Sequence, residues 1–188
     1  LVGSEMCIRD RLKFVAGPQT DYFRSPDGSV VNNSAVIFTE VDNTKPFTFT
    51  AKVQPEFTET GTYSAGVIYA YENDTHCQKL CFEQDEYGDH RVVSVRTLGT
   101  SDDNNHQAIT APYVYMRLSS DGTTLGSYFS EDGKIWRMAR LYKNDFPEKL
   151  LIGISSQSPK DNEHTCLFTE VSLTDKPVAD FRKGNIAE

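Results

Sequence analysis

The stretch Phe47-Thr48-Phe49-Thr50-Ala51-Lys52-Val53-Gln54 decides the fold. Phe47, Phe49, Ala51 and Val53 fall on one side of an extended chain. Thr48, Thr50, Lys52 and Gln54 fall on the other. Successive side chains of a strand point to opposite faces, so this alternation describes a half-buried strand. Phe, Thr and Val also suit a pleated backbone. The same period of two recurs on both sides, over residues 34–41, 63–71, 76–84, 91–97, 113–119, 125–130, 135–141, 150–156 and 165–173. No sustained helical stripe with caps interrupts it, although a short helical turn fits 143–146.

Turn chemistry joins these runs into hairpins. Asp121-Gly122 and Asp132-Gly133 each separate two strand-like runs, and Tyr87-Gly88-Asp89 closes another pair. Glycine there supplies the positive φ that a tight hairpin needs. About ten short strands at regular spacing predict an all-β sandwich of two antiparallel sheets. The polar stretch 98–112 is expected to be a surface loop bordering a site.

The chain has 188 residues, which suits one such domain. Eleven Phe, nine Tyr and one Trp supply a packed interior, against disorder. The net charge of −8 disfavours nucleic acid and anionic membranes as partners. No apolar run approaches the roughly 20 residues of a membrane helix. Residues 12–174 are expected to form the domain, and 175–188 a polar, peripheral tail. Residues 1–11 lack the alternation and are expected to add no strand. Their SEMCIRDR string resembles a translated adapter artefact, which suggests a non-native or disordered start.

Cys77 and Cys81 would lie about 13 Å apart in one strand, beyond disulfide reach of each other. Pairing of either with Cys166 stays open. Free thiols and a cytoplasmic, reducing location are the expectation. No cofactor is expected, because no phosphate loop, metal cluster or Ser-His-Asp set is present.

Two blocks carry a resemblance. One is Thr20-Asp21-Tyr22-Phe23-Arg24, followed by Phe38-Thr39-Glu40-Val41. The other is Tyr128-Phe129-Ser130-Glu131-Asp132-Gly133-Lys134-Ile135-Trp136. Together they resemble the concanavalin-A-like family that includes the so-called regulation-of-enolase protein. That family looks related to the concanavalin-A-like domains appended to β-xylosidases. The resemblance implies a concanavalin-A-like jelly roll and a Lys and Glu four apart in a central strand, matched here by Lys79 and Glu83. An earlier Trp-bearing strand, usual in the family, has no counterpart here. A metabolic enzyme as partner is suggested by the family's name alone.

Alternation also sorts candidate site residues. Leu80 and Phe82 should face the core, so Lys79 and Glu83 face away, with Cys77 and Cys81. Val114, Met116 and Leu118 should face in, leaving Tyr115 and Arg117 outside. Val93 and Val95 should face in, leaving Ser94 out. Tyr63 shares a face with Tyr69 and Tyr71. If these strands are neighbours in one sheet, Lys79, Glu83, Tyr115, Arg117, Tyr63 and Ser94 form one outer surface. Such rings and charges suit a carbohydrate. The plainer reading is a solvated face of cross-strand ion pairs. Asp21 and Arg24 either line the site mouth or brace a turn. Trp136 is expected in the core. Glu83 and Asp85 are spaced as paired glycosidase acids could be, but the adjoining turn predicts exposure. The expected function is therefore a non-catalytic, monomeric, lectin-like module for a carbohydrate or protein partner, with a regulatory role in sugar metabolism suggested by the family resemblance; a glycoside hydrolase-like enzyme is the alternative.

Overall fold

The computed structural model describes residues 6–8 and 11–186. Among them every regular element is a strand: β1 (Met6–Ile8), β2 (Leu12–Ala16), β3 (Tyr22–Arg24), β4 (Val30–Asn32), β5 (Val36–Asp42), β6 (Phe47–Pro55), β7 (Ala65–Asn73), β8 (His76–Gln84), β9 (His90–Leu98), β10 (Thr100–Ala108), β11 (Val114–Ser120), β12 (Thr124–Ser130), β13 (Arg137–Lys143), β14 (Lys149–Gln157) and β15 (His164–Thr174). A back sheet runs β1-β15-β6-β11-β12-β13, with β2 also on β15. A front sheet runs β10-β9-β8-β7-β14-β5, and β3 and β4 form a separate hairpin. All pairings are antiparallel. The result is the expected concanavalin-A-like sandwich.

The core lies between the sheets. Phe49 and Val53 of β6 and Met116 and Leu118 of β11 meet Leu80 and Phe82 of β8 and Ile152 of β14, all buried. The opening stretch behaves as its alternation requires, because Phe47, Phe49, Ala51 and Val53 all enter this core. Val93 does not. It belongs to a second apolar cluster with Val67, Tyr69, Cys81 and Val95 on the outer face of the front sheet. That cluster exists because Tyr22 and Phe23 of the β3–β4 hairpin, together with Phe38, pack over the sheet.

Four further expectations change. The supposed loop 98–112 contains β10, which pairs with β9 from Thr100↔Leu98 onward. Its polar sequence reflects an edge position with few apolar contacts on either face. Residues 143–146 hold no helical turn; Asn144 is instead bonded to Asn43 and Ser120. Residues 1–11 do supply a strand, since β1 pairs with Val171–Leu173 of β15. The eleven-residue β15 is longer than its partner β2, and β1 pairs with the backbone groups β2 leaves over.

The C-terminal segment is the fourth. It lies across the outer face of the back sheet rather than at the periphery. Val178 is buried and its amide donates to Ser119 Oγ at 2.9 Å. Tyr128 Oη donates to the Phe181 carbonyl at 2.8 Å. Gly184 packs on the Tyr128 ring, where a Cβ would come within 2.4 Å of it, and takes φ of +71°. Glycine meets both demands.

Candidate functional site

The outer face of the front sheet is built in cross-strand rows. One row runs Gly153, Tyr69, Lys79, Val95, Asp103 across β14, β7, β8, β9 and β10. Another runs Gln157, Ala65, Glu83, Arg91. Above these rows the β3–β4 hairpin forms a wall, held by Arg24. Its amide donates to Ser101 Oγ at 3.0 Å and its Nε to the Gly99 carbonyl at 2.9 Å. Between hairpin and sheet lies a cavity of about 900 Å³.

Lys79 stands in the cavity wall at 3% exposure. Its Nζ donates to Asp21 Oδ1 at 2.7 Å and to Gln157 Oε1 at 3.0 Å. Burial is the largest single influence and opposes its charge, but Asp21, together with Cys81 and Tyr69, outweighs it and holds the pKa well above the usual lysine value. Gln157 is oriented by the same contacts. With its oxygen on the ammonium, its Nε2 donates to the Tyr63 carbonyl at 3.1 Å and to Glu83 Oε2 at 3.5 Å. The small Ala65 between Gln157 and Glu83 leaves room for that bridge.

Glu83 is nine-tenths buried. Desolvation pushes its carboxyl up to about 8; Lys79 pulls the other way, while Asp21, Asp103 and Asp85 add to the rise. At neutral pH it is therefore mostly protonated, able to donate as well as accept. Its cross-strand neighbour Arg91 is committed to Asp85, 2.5 Å away, and to Asp89. Asp85 is buried too, contrary to the expected exposure, and accepts from the Tyr87 and Asp89 amides of the adjoining turn.

Tyr63 borders the cavity with its ring partly exposed and its backbone at φ +64°. A bulky residue held there stores about 1 kcal/mol of strain. The Tyr63 amide, bonded to the Gln84 carbonyl at 2.7 Å, fixes that conformation. Phe23, Val93 and Val95 add apolar surface. Asp103, exposed as a residue, still reaches the cavity; partial desolvation raises its pKa, opposed by Lys79 and reinforced by Asp21.

The structure thus brings Lys79, Glu83, Asp21 and Tyr63 around one cavity. It does not bring Tyr115 and Arg117 there: β11 lies in the back sheet, so the shared surface is ruled out. Arg117 is buried under the C-terminal segment, its Nη1 donating to the Gly184 carbonyl at 2.6 Å and its guanidinium 3.6 Å from the Trp136 ring centroid. Trp136 is accordingly half-buried on that outer face, not in the core. Tyr115 Oη donates to Glu170 at 3.2 Å. Ser94, in register with Leu80, faces inward beside His106 and Arg140 rather than outward. Arg24 anchors the hairpin instead of pairing with Asp21, whose partner is Lys79. Cys77, Cys81 and Cys166 are free and buried; Cys81 and Cys166 lie in separate apolar clusters.

Sequence reasoning missed Gln157 and Asp103. Gln157 was within reach: with Ile152 and Ile154 facing in, parity sends Gln157 outward one residue past the expected strand end. Asp103 carried no such signal.

Comparison with known proteins places this geometry. A functionally unknown protein from Saccharomyces cerevisiae superposes with a TM-score of 0.79 at 22% identity, over 92% of this chain and 96% of that one. A xylan β-1,4-xylosidase from Bacillus halodurans C-125 matches with a TM-score of 0.63 at 14% identity, over 87% of this chain but 32% of the enzyme. The carbohydrate binding module CBM66 from Bacillus subtilis matches with a TM-score of 0.50 at 9% identity, over 76% and 84%. These likenesses establish the shared sandwich. No curated protein matches the chain. The family model "Protein of unknown function (DUF1349)" matches residues 5–176, and the chain belongs to that family.

Proposed function

We propose that the domain is a non-catalytic carbohydrate-binding module whose site is the cavity between the front sheet and the β3–β4 hairpin. The observation that carries this reading is the fixed Asp21–Lys79–Gln157–Glu83 chain of polar groups beside Tyr63 and Phe23. Sugars need such a mixture, with donors and acceptors for hydroxyls and apolar surface for C–H faces. The likeness to a carbohydrate binding module supports it.

A second reading, a glycoside hydrolase, draws on Glu83, because a carboxyl protonated near neutrality is what a general acid requires. Against it stands the spacing of the acids. Asp103 lies two strands and four residues from Glu83, about 16 Å between Cα atoms at ~3.3 Å per residue and ~4.8 Å per strand. Retaining enzymes hold their carboxyl groups about 5 Å apart. A regulatory role beside a metabolic enzyme, and a cytoplasmic location, are further proposals. The first rests on the family resemblance and the second on three unpaired thiols.

Calorimetric titration with neutral oligosaccharides, followed by chromatography of the ligand, tests the main reading. Saturable binding with intact ligand is expected, weakened at least about tenfold by Lys79→Met. Cleaved ligand would move the function to the hydrolase reading, and silence across the panel would remove the carbohydrate.

A further inference from the structure

Six charged residues border the cavity: Asp21, Glu83, Glu86, Asp103, Lys79 and Lys160. Asp21 and Lys79 neutralise each other. The remaining three acids, Glu83, Glu86 and Asp103, face one lysine, Lys160, and none of the four joins an ion pair among the described residues. Glu83 is the informative member. It is nine-tenths buried, its Oε1 has no hydrogen-bond partner among the described residues, and Oε2 has only the long contact from Gln157.

Every group facing Glu83 leaves it without a cation. Lys79, on the same strand, is committed to Asp21 and Gln157. Arg91 across β9 is committed to Asp85 and Asp89. Asp85 from the following turn, Asp103 from β10 and Asp21 from the segment before the hairpin are all acids. Tyr63 contributes its carbonyl to the Gln157 amide. A buried carboxyl in an acid-rich cavity with one open oxygen is complementary to an incoming cation.

We propose that the cavity selects an amino sugar, with the ligand's ammonium seated on the open Oε1 of Glu83 while its hydroxyls meet Lys79 and Gln157, and with Asp103 adding only its longer-range negative field. This rests on the carbohydrate reading above and narrows it. It also disfavours uronate, sulfated and phosphorylated saccharides, whose anions would meet the carboxylates of Glu86 and Asp103 with only Lys160 to offset them. Glu83 ionises on binding, and its proton passes to solvent.

The test is calorimetry at about pH 6.5 with glucosamine oligosaccharides, which carry amines. They are compared with cello-oligosaccharides, which share the β-1,4 linkage but carry a hydroxyl in place of each amine. The amine ligand should bind at least about tenfold tighter. Titration in two buffers of different ionisation enthalpy should show release of about one proton per site. Glu83→Gln should abolish both the preference for the amine and the proton release, with its fold checked by thermal melting. Asp103→Asn, on the exposed rim, should reduce the preference roughly threefold. Equal affinity for both ligands, no proton release, or tighter binding of an oligogalacturonide overturns the inference and leaves the carbohydrate reading in place. Absence of binding by every oligosaccharide overturns both.

Discussion

The two outer faces of the sandwich each bury a cation, and they do so in opposite ways. On the front sheet Lys79 is met by the carboxylate of Asp21 and still borders open space. On the back sheet Arg117 finds no carboxylate among the described residues: it stacks on Trp136, bonds Thr50 and the Gly184 carbonyl, and is closed over by the C-terminal segment. Desolvation pulls the Arg117 pKa down to about 10, so it stays charged at neutral pH. One face keeps a cavity beside its charge and the other is sealed. A buried cation is therefore not by itself a mark of a site; what covers it and what room is left beside it decide.

The sharpest way to break this contrast is to remove a partner. Asp21→Ala leaves Lys79 buried without its counter-charge and should cost about 3–5 kcal/mol in urea unfolding. The pair Asp21→Leu with Lys79→Met should come back to within about 1 kcal/mol of the parent. A cost below about 1 kcal/mol for the single substitution would show the front face to be merely solvated. Arg117→Ala should cost about 2–3 kcal/mol, from its hydrogen bonds and the Trp136 stack. It should also speed hydrogen exchange at the Val178 amide. Arg117→Lys should recover little, lacking the planar surface for stacking.

Titration separates the faces next. Glu83 has a folded pKa of about 8, raised by desolvation from 4.5. Between those values the folded state binds more protons than the unfolded state, so stability falls as pH rises. The shift caps the loss at about 5 kcal/mol, and water entering the cavity reduces it to roughly 2 kcal/mol. Melting curves from pH 5 to 9 should therefore decline for the parent more than for Glu83→Gln. Equal slopes would mean the carboxyl is ionised throughout. The smallest effect belongs to Tyr63. Tyr63→Asn accepts the positive φ more readily and should raise stability by about 0.5–1 kcal/mol while weakening saccharide binding, measured by the same melt and titration.

The legibility of the two faces in the sequence differs for physical reasons. Alternation correctly assigns the inward residues of β6, β8 and β11, because one side of each of those strands is plainly apolar. It fails on β9, where Val93 and Val95 pack under the hairpin while Ser94 points inward. A period of two says that residues alternate, and an apolar outer cluster defeats the rule for choosing the side. It also cannot say which strands are neighbours. Tyr115 and Arg117 have the parity of outward residues but sit in the other sheet. The Lys79–Asp21 bond joins positions 58 apart in sequence, a relation no local pattern carries.

The polar edge strand β10 has a further consequence, for colloidal behaviour. Among the described residues no neighbouring strand takes up the backbone groups on its outer side, an open template for a second polypeptide. Asp102, Asp103, Asn104 and Asn105 occupy that strand, all exposed. Two adjacent carboxylates repel a like strand, and asparagine is a poor strand former. Replacing Asp102 and Asp103 with threonine would raise strand propensity and remove that repulsion at once. Light scattering of the concentrated protein should then show association that the parent chain resists.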